Sequence, residues 1–238
     1  WSDILTDKNI DAVSIATPAA SHAELVRAAL DNGKHVLVEK PMALHVSQAE
    51  EIAKLAKEGN RTVMVGHLLQ YHPAFHALLC LVNDGELGKL RYIYSNRLNF
   101  GRFRTEENIL WSFAPHDISM ILSLTGTEPN YVNAVGQSYL GSGIADTTIT
   151  HLSFPSGVRA HVYVSWLHPF KEQKLVVIGD QGMAVFDDTQ DWGEKLLLYP
   201  HTVKLEGEVS IAQRADARAI VVEPREPLRE ECKHFLDC

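Results

Sequence analysis

Through its first third the chain alternates short apolar runs with amphipathic stretches. Asp11-Ala12-Val13-Ser14-Ile15-Ala16 is a brief apolar run stopped by Thr17-Pro18, the pattern of a buried parallel strand. Ser21 then opens an amphipathic helix, with Leu25, Val26, Ala29 and Leu30 on one face and Gly33 as its stop. His35-Val36-Leu37-Val38 predicts a second buried strand, ending at Glu39-Lys40-Pro41. Ser47 with Glu50 predicts a capping box for a helix that ends at Gly59. Thr62-Val63-Met64-Val65 predicts a third strand, halted by Gly66-His67. Strand, helix, strand, helix and strand with short connections is a parallel, doubly wound α/β pattern, here a partial Rossmann domain over residues 1–86.

From Lys89 onward the period shortens. Arg91 to Asn99, Tyr131 to Leu140, Thr147 to Phe154, Val158 to Trp166, Lys174 to Ile178 and Met183 to Asp187 read as strands. Many alternate polar and apolar residues, and turns such as Pro155-Ser156-Gly157 join neighbours. Residues 87–238 are therefore expected to form an α+β domain with a large, mostly antiparallel open sheet, buried on one face. One amphipathic helix, Pro115 to Leu124, interrupts the strands, and Asn83-Asp84-Gly85 with Gly88 marks the domain boundary near residues 84–90. Glu230 to Cys238 reads as a helix cut off in mid-course.

Composition narrows the functional classes. In 238 residues, 45% are hydrophobic and 22% charged, an ordinary globular balance. A net charge of -8 disfavours a nonspecific nucleic-acid binder, which needs a basic face. No apolar run reaches the roughly 20 residues that span a bilayer, so no membrane partner is expected. Cys80, Cys232 and Cys238 lack zinc-ligand or CxxC spacing and read as reduced, buried or incidental thiols of a cytoplasmic protein. The chain starts at Trp1 rather than Met, and it is expected to be a fragment at both ends.

In open parallel sheets, ligands bind beyond the carboxyl ends of the strands. Here those ends carry Thr17-Pro18, Glu39-Lys40-Pro41 and Gly66-His67, which brings a lysine, a glutamate and an imidazole to one crevice. Each alone reads as a surface or capping group; their occurrence at successive strand ends points to chemistry. The run Ile15-Ala16-Thr17-Pro18, His22, Ala28, Gly33-Lys34-His35-Val36 and Glu39-Lys40-Pro41, at these spacings, resembles the Gfo/Idh/MocA oxidoreductase family. Val65-Gly66-His67 with Tyr71-His72-Pro73, and Leu110-Trp111-Ser112-Phe113-Ala114-Pro115-His116-Asp117, extend the likeness over most of the chain.

The resemblance implies a Rossmann domain followed by an open-sheet domain, oxidising a sugar or polyol hydroxyl with NAD or NADP. It implies catalytic roles for Lys40 and His116. It places cofactor contacts at Thr17, Pro18, His22, Glu39, Lys40, Pro41 and His67, and substrate contacts at Lys40, Tyr71, His116 and Asp117. Oxidising a secondary alcohol needs a base for the hydroxyl proton while carbon delivers hydride. Lys40 suits stabilisation of the alkoxide. Pro115 suits a first helical turn, which would put His116 near the positive end of the dipole and favour a neutral imidazole. Arg102 and Arg104, in the Phe100-Gly101-Arg102-Phe103-Arg104 segment, suit a phosphate or carboxylate on the substrate, with an exposed charged loop as the bland alternative. Relatives often form oligomers, so a homo-oligomer joined through the open sheet is also expected. No metal is expected: His72 and His76 stand four apart, but no confirming ligand motif accompanies them.

Departures qualify the resemblance. Ser112 stands where many members carry an aspartate four residues before the histidine, and Gln70 where an arginine is frequent. The G-x-G-x-x-G turn that cradles pyrophosphate is absent, as is the acidic residue that reads the ribose. The family places both before the point where this sequence starts; a loss of roughly 60 to 70 residues accounts for them, and NAD cannot be told from NADP. The Leu110-to-Asp117 wording resembles members acting on nucleotide-activated amino sugars, including UDP-N-acetylglucosamine 3-dehydrogenases. The competing expectation is a non-catalytic sugar-binding or oligomerisation module that kept the sheet and lost cofactor binding.

Overall fold

The computed structural model describes residues 1–238 apart from 102, 106 and 142 and the side chains of 205 and 206, so Arg102 and Glu106 lie outside the described residues. A short helix α1 (Ser2–Thr6) leads into β1 (Ala12–Ile15), α2 (Ala19–Asp31), β2 (His35–Glu39), α3 (Val46–Glu58) and β3 (Val63–Gly66). The three strands form a parallel sheet in the order β1-β2-β3. Their inward residues Ile15, Val36 and Val38 meet Ala23, Val26, Ala29 and Leu30 of α2 and Ile52 of α3. The expected parallel α/β pattern is therefore present. Gly33, at φ +72°, makes the left-handed turn that ends α2.

The expected Ser47–Glu50 capping box is not formed. Helix α3 begins at Val46 with His45 at the N-cap and no side-chain cap bond. Ser47 consequently sits inside the first turn, where its hydroxyl cannot take the cap position.

After a 3-10 turn (Leu68–Tyr71) come α4 (Pro73–Asn83), β4 (Leu90–Phe100), α5 (Ile109–Thr125), β5 (Tyr131–Gln137), β6 (Thr147–Ser153), β7 (Arg159–Ser165), β8 (Leu167–Gly179), β9 (Met183–Asp187) and β10 (Leu196–Tyr199). A hairpin of β11 (Thr202–Glu206) and β12 (Val209–Gln213), the short β13 (Arg218–Ala219) and α6 (Pro227–Asp237) complete the chain. Eight strands form one sheet, ordered β13-β10-β9-β8-β4-β7-β6-β5. The β4–β7 pair is parallel and the other pairs are antiparallel, so the sheet is mixed but mostly antiparallel, as its alternating pattern predicts. One face packs on Phe75 and Leu78 of α4 and on Ile109, Met120 and Ile121 of α5. The opposite face leaves Tyr131, Val135 and Ile149 exposed.

The chain divides into one compact unit of Trp1–Leu68 with Leu228–Cys238, and another of Leu69–Pro227. The change of unit thus falls before α4, not at residues 84–90, because Phe75 and Leu78 belong to the core under the large sheet. Likewise α6 returns to the first unit. The three cysteines are free and exposed, so of the expected alternatives they are incidental thiols and not buried ones. Among the described residues, no helix is long and apolar enough to cross a membrane.

Candidate active site

In the first unit, the carboxyl ends of β1, β2 and β3 hold Thr17, Glu39-Lys40-Pro41 and Gly66-His67. His22 is 1% exposed, and its Nδ1 and Nε2 lie 2.7 Å from the carbonyl oxygens of Pro41 and Thr17. Both ring nitrogens are thereby committed to backbone. The ring ties the loop after β1 to the loop after β2. Thr17 is exposed, with its hydroxyl 2.8 Å from that of Ser21, and Ser21 donates to the Pro18 carbonyl at 2.8 Å. Pro18 is likewise exposed, while Pro41 is buried.

Lys40 is half-buried at the end of β2. The imidazole of His67 is held below its ordinary pKa, first by burial and then by the charge of Lys40, so it is neutral near pH 7. Its Nδ1 is buried and lacks a hydrogen-bond partner among the described residues. A neutral imidazole with an unused nitrogen, beside a lysine at a parallel-strand end, can meet a polar group of a ligand. Glu39 and the buried Glu231 of α6 both approach Gly66: a Cβ built there would stand 3.3 Å from Glu39 Oε2 and 3.1 Å from Glu231 Oε1. Nothing in the helical spacing of Glu230 to Cys238 singles out Glu231 as an inward residue.

In the second unit, α5 starts six residues earlier than Pro115. Asn108 is its N-cap, with Oδ1 accepting from the Trp111 N–H at 3.1 Å. Pro115 lies inside the helix. His116 is thus mid-helix and not at the dipole's positive end, which removes that basis for expecting a neutral ring. Ser112 is buried one turn before it.

Asp117 is 1% exposed and fully engaged. Its Oδ2 accepts from Arg97 Nε at 2.7 Å, and its Oδ1 accepts from Arg97 Nη2 at 3.3 Å and Ser95 Oγ at 2.5 Å. The carboxylate therefore pins α5 to β4, and in this structure its hydrogen bonds go to Ser95 and Arg97. Ser95 and Arg97 escaped the sequence reading, although both fall on the inward side of the β4 alternation with Ile93.

Tyr71 is half-buried in the 3-10 turn. Arg104 is exposed and lies 3.9 Å from Glu107. His72, next in sequence to Tyr71, caps α4 by accepting from the Ala74 N–H at 3.1 Å, and its Nε2 is 3.4 Å from Asp188. It also stacks on Trp192. These contacts give His72 an architectural use.

Residues 1–67 match the family described as "Oxidoreductase family, NAD-binding Rossmann fold", and residues 75–185 match the GFO/IDH/MocA C-terminal domain. The crystal structure of a candidate oxidoreductase from Magnetospirillum magnetotacticum MS-1 superposes with a TM-score of 0.85 at 32% identity, covering 100% of this chain and 75% of that one. UDP-N-acetylglucosamine 3-dehydrogenase from Acidithiobacillus ferrooxidans is 31% identical over 66% of this chain and 49% of its own length. The scyllo-inositol 2-dehydrogenase (NAD(+)) of Bacillus subtilis is 27% identical over 76% of this chain and 58% of its own. The chain thus spans about half the length of the curated relatives it matches.

Proposed function

Because the chain belongs to the Gfo/Idh/MocA oxidoreductase family, we propose that the polypeptide carrying it transfers hydride between a secondary hydroxyl of a sugar or polyol and a nicotinamide cofactor. The observation that carries this reading is Lys40 at the end of β2, whose charge acts on a neutral, half-buried His67 at the end of β3. The nicotinamide, when bound, supplies the hydride acceptor or donor. His67 and the Lys40 segment are the residues that would hold its reactive end, and the unpartnered Nδ1 of His67 fits that task.

Removing hydride from carbon leaves the alcohol oxygen with developing negative charge. Lys40, as a cation in a half-buried position, stabilises that oxygen more strongly than it could in open water. His22 fixes the backbone on either side of the Lys40 loop, so the ammonium reaches the oxygen with little reorganisation. His116 is the second candidate, as the base that takes the hydroxyl proton, and the Arg97–Asp117 anchor holds its helix in place. The likeness to a UDP-N-acetylglucosamine 3-dehydrogenase supports a nucleotide sugar as substrate, and exposed Arg104 suits its diphosphate. Exposed Tyr131, Val135 and Ile149 on the open sheet face support self-association through it.

The test is titration of the native polypeptide with NAD(H) and NADP(H), then turnover with nucleotide sugars and free polyols. Cofactor reduction by at least one of these is expected. Cofactor binding without hydride transfer to any of them would favour a non-catalytic module.

A further inference from the structure

Helix α6 is amphipathic in an unexpected sense. Its apolar Leu228 and Leu236 are exposed at 47% and 79%, whereas Glu231 is buried at 1%. Burying a carboxylate is costly unless it meets a cation or several donors. At Glu231 one carboxyl oxygen, Oε1, is buried with no hydrogen-bond partner among the described residues. From β2 the facing charge is Glu39, of like sign, and β3 presents Gly66, which has no side chain. Beyond Gly66 stands His67, itself neutral, with the charge of Lys40 nearby. On α6 itself the neighbouring titratable groups are Arg229, Glu230, Lys233 and His234.

Gly66 makes the arrangement possible. A Cβ at this position would meet Glu231 Oε1 at 3.1 Å and Glu39 Oε2 at 3.3 Å, tighter than ordinary contact. The bare glycine therefore admits two carboxyl groups to one spot at the strand ends, and one of them, Glu39, directly precedes Lys40 in sequence. Two like charges there, one of them buried, cannot both persist cheaply.

We propose that Glu231 is a positioning residue for the Lys40 segment: as the neutral acid it seats α6 against Glu39 and Gly66, and its ionisation loosens that seat. Burial first, and Glu39 second, push its carboxyl up to about 7. Because the folded-state value lies above the unfolded one, the seat is most stable below the ordinary glutamate range. It weakens as the pH rises through about 7. The consequence for turnover rests on Lys40 being catalytic; the consequence for α6 does not.

The direct test is a 13C side-chain carboxyl titration of the native polypeptide. Glu231 is expected to titrate near 7. In Glu39→Gln its midpoint should fall, yet stay above the ordinary range, since burial is the larger cause. Titration in the ordinary glutamate range, or no change in Glu39→Gln, overturns the proposal. A second arm compares amide exchange in α6 at pH 8. Glu231→Gln, which imitates the neutral acid, should slow exchange about tenfold or more relative to wild type, while Glu231→Ala should not. Equal loss of protection in both variants would also overturn it. Where turnover is measurable, Glu231→Gln should flatten the alkaline limb of the pH–rate profile. Absence of turnover in every variant would count against the role of Lys40 and leave the carboxyl titration to decide the pair.

Discussion

Asp117→Asn keeps the shape of the side chain while removing the charge that meets the buried Arg97 guanidinium. Arg97 and Asp117 side chains are exposed by only 8% and 1%, so water cannot replace the lost carboxylate. Breaking a buried pair by deleting one partner costs about 3–5 kcal/mol. Asparagine still accepts through Oδ1, which favours the lower end, about 3 kcal/mol. For a chain of this size each kcal/mol shifts Tm by about 2–4 °C, so the expected fall is roughly 6–12 °C. The assay is thermal unfolding by calorimetry, with amide exchange in α5 to localise the effect. Arg97→Met combined with Asp117→Leu removes both charges, and apolar replacement of a buried pair is often neutral or stabilising. The double variant is therefore expected to melt within about 3 °C of wild type. A fall below about 2 °C in the single variant, or an equal fall in the double, refutes the claim that this pair anchors α5 through charge.

Other consequences follow from separate sites. Lys40→Met removes the smaller of the two causes that depress His67, so its imidazole should titrate higher by NMR while remaining below the ordinary value through burial. Burial tends to raise the Asp188 carboxyl, but hydrogen bonds and charge from His72 and Lys195 outweigh it and bring it to about 2. A folded value below the unfolded one gives stability that is complete above about 4 and lost as the pH falls toward 2, about 2 kcal/mol in all. Urea unfolding of Asp188→Asn between these limits should show a flatter acid limb. Gly179→Ala would place a Cβ 1.9 Å from the Leu87 carbonyl oxygen, against backbone that cannot swing aside, and soluble yield or Tm should drop sharply.

Much of the first unit was legible because its signals are local. Apolar runs bounded by Pro or Gly locate β1, β2 and β3, and a parallel order follows from the intervening helices. Which polar atoms those strand ends engage was not legible. His22 reads as a capping or ligand residue until the Thr17 and Pro41 carbonyls converge on its ring. Pro115 drew the start of α5 too far along the chain, although Asn108 was an available N-cap. Asp117 invited a substrate-contact reading beside His116; its partner Arg97 depends on β4 turning that side chain inward, a tertiary fact. Glu231 was the least legible, since a glutamate among exposed helix positions carries no sign of burial until Gly66 leaves room for it.

Lys40 is the point on which the functional account stands. Single-turnover reduction of bound NAD(P) by the best sugar of the panel, followed by nicotinamide absorbance, compares wild type with Lys40→Met. A fall in the hydride-transfer rate of about 100-fold or more at saturating cofactor, with far-UV circular dichroism unchanged, is predicted. A rate within a few-fold of wild type would contradict it.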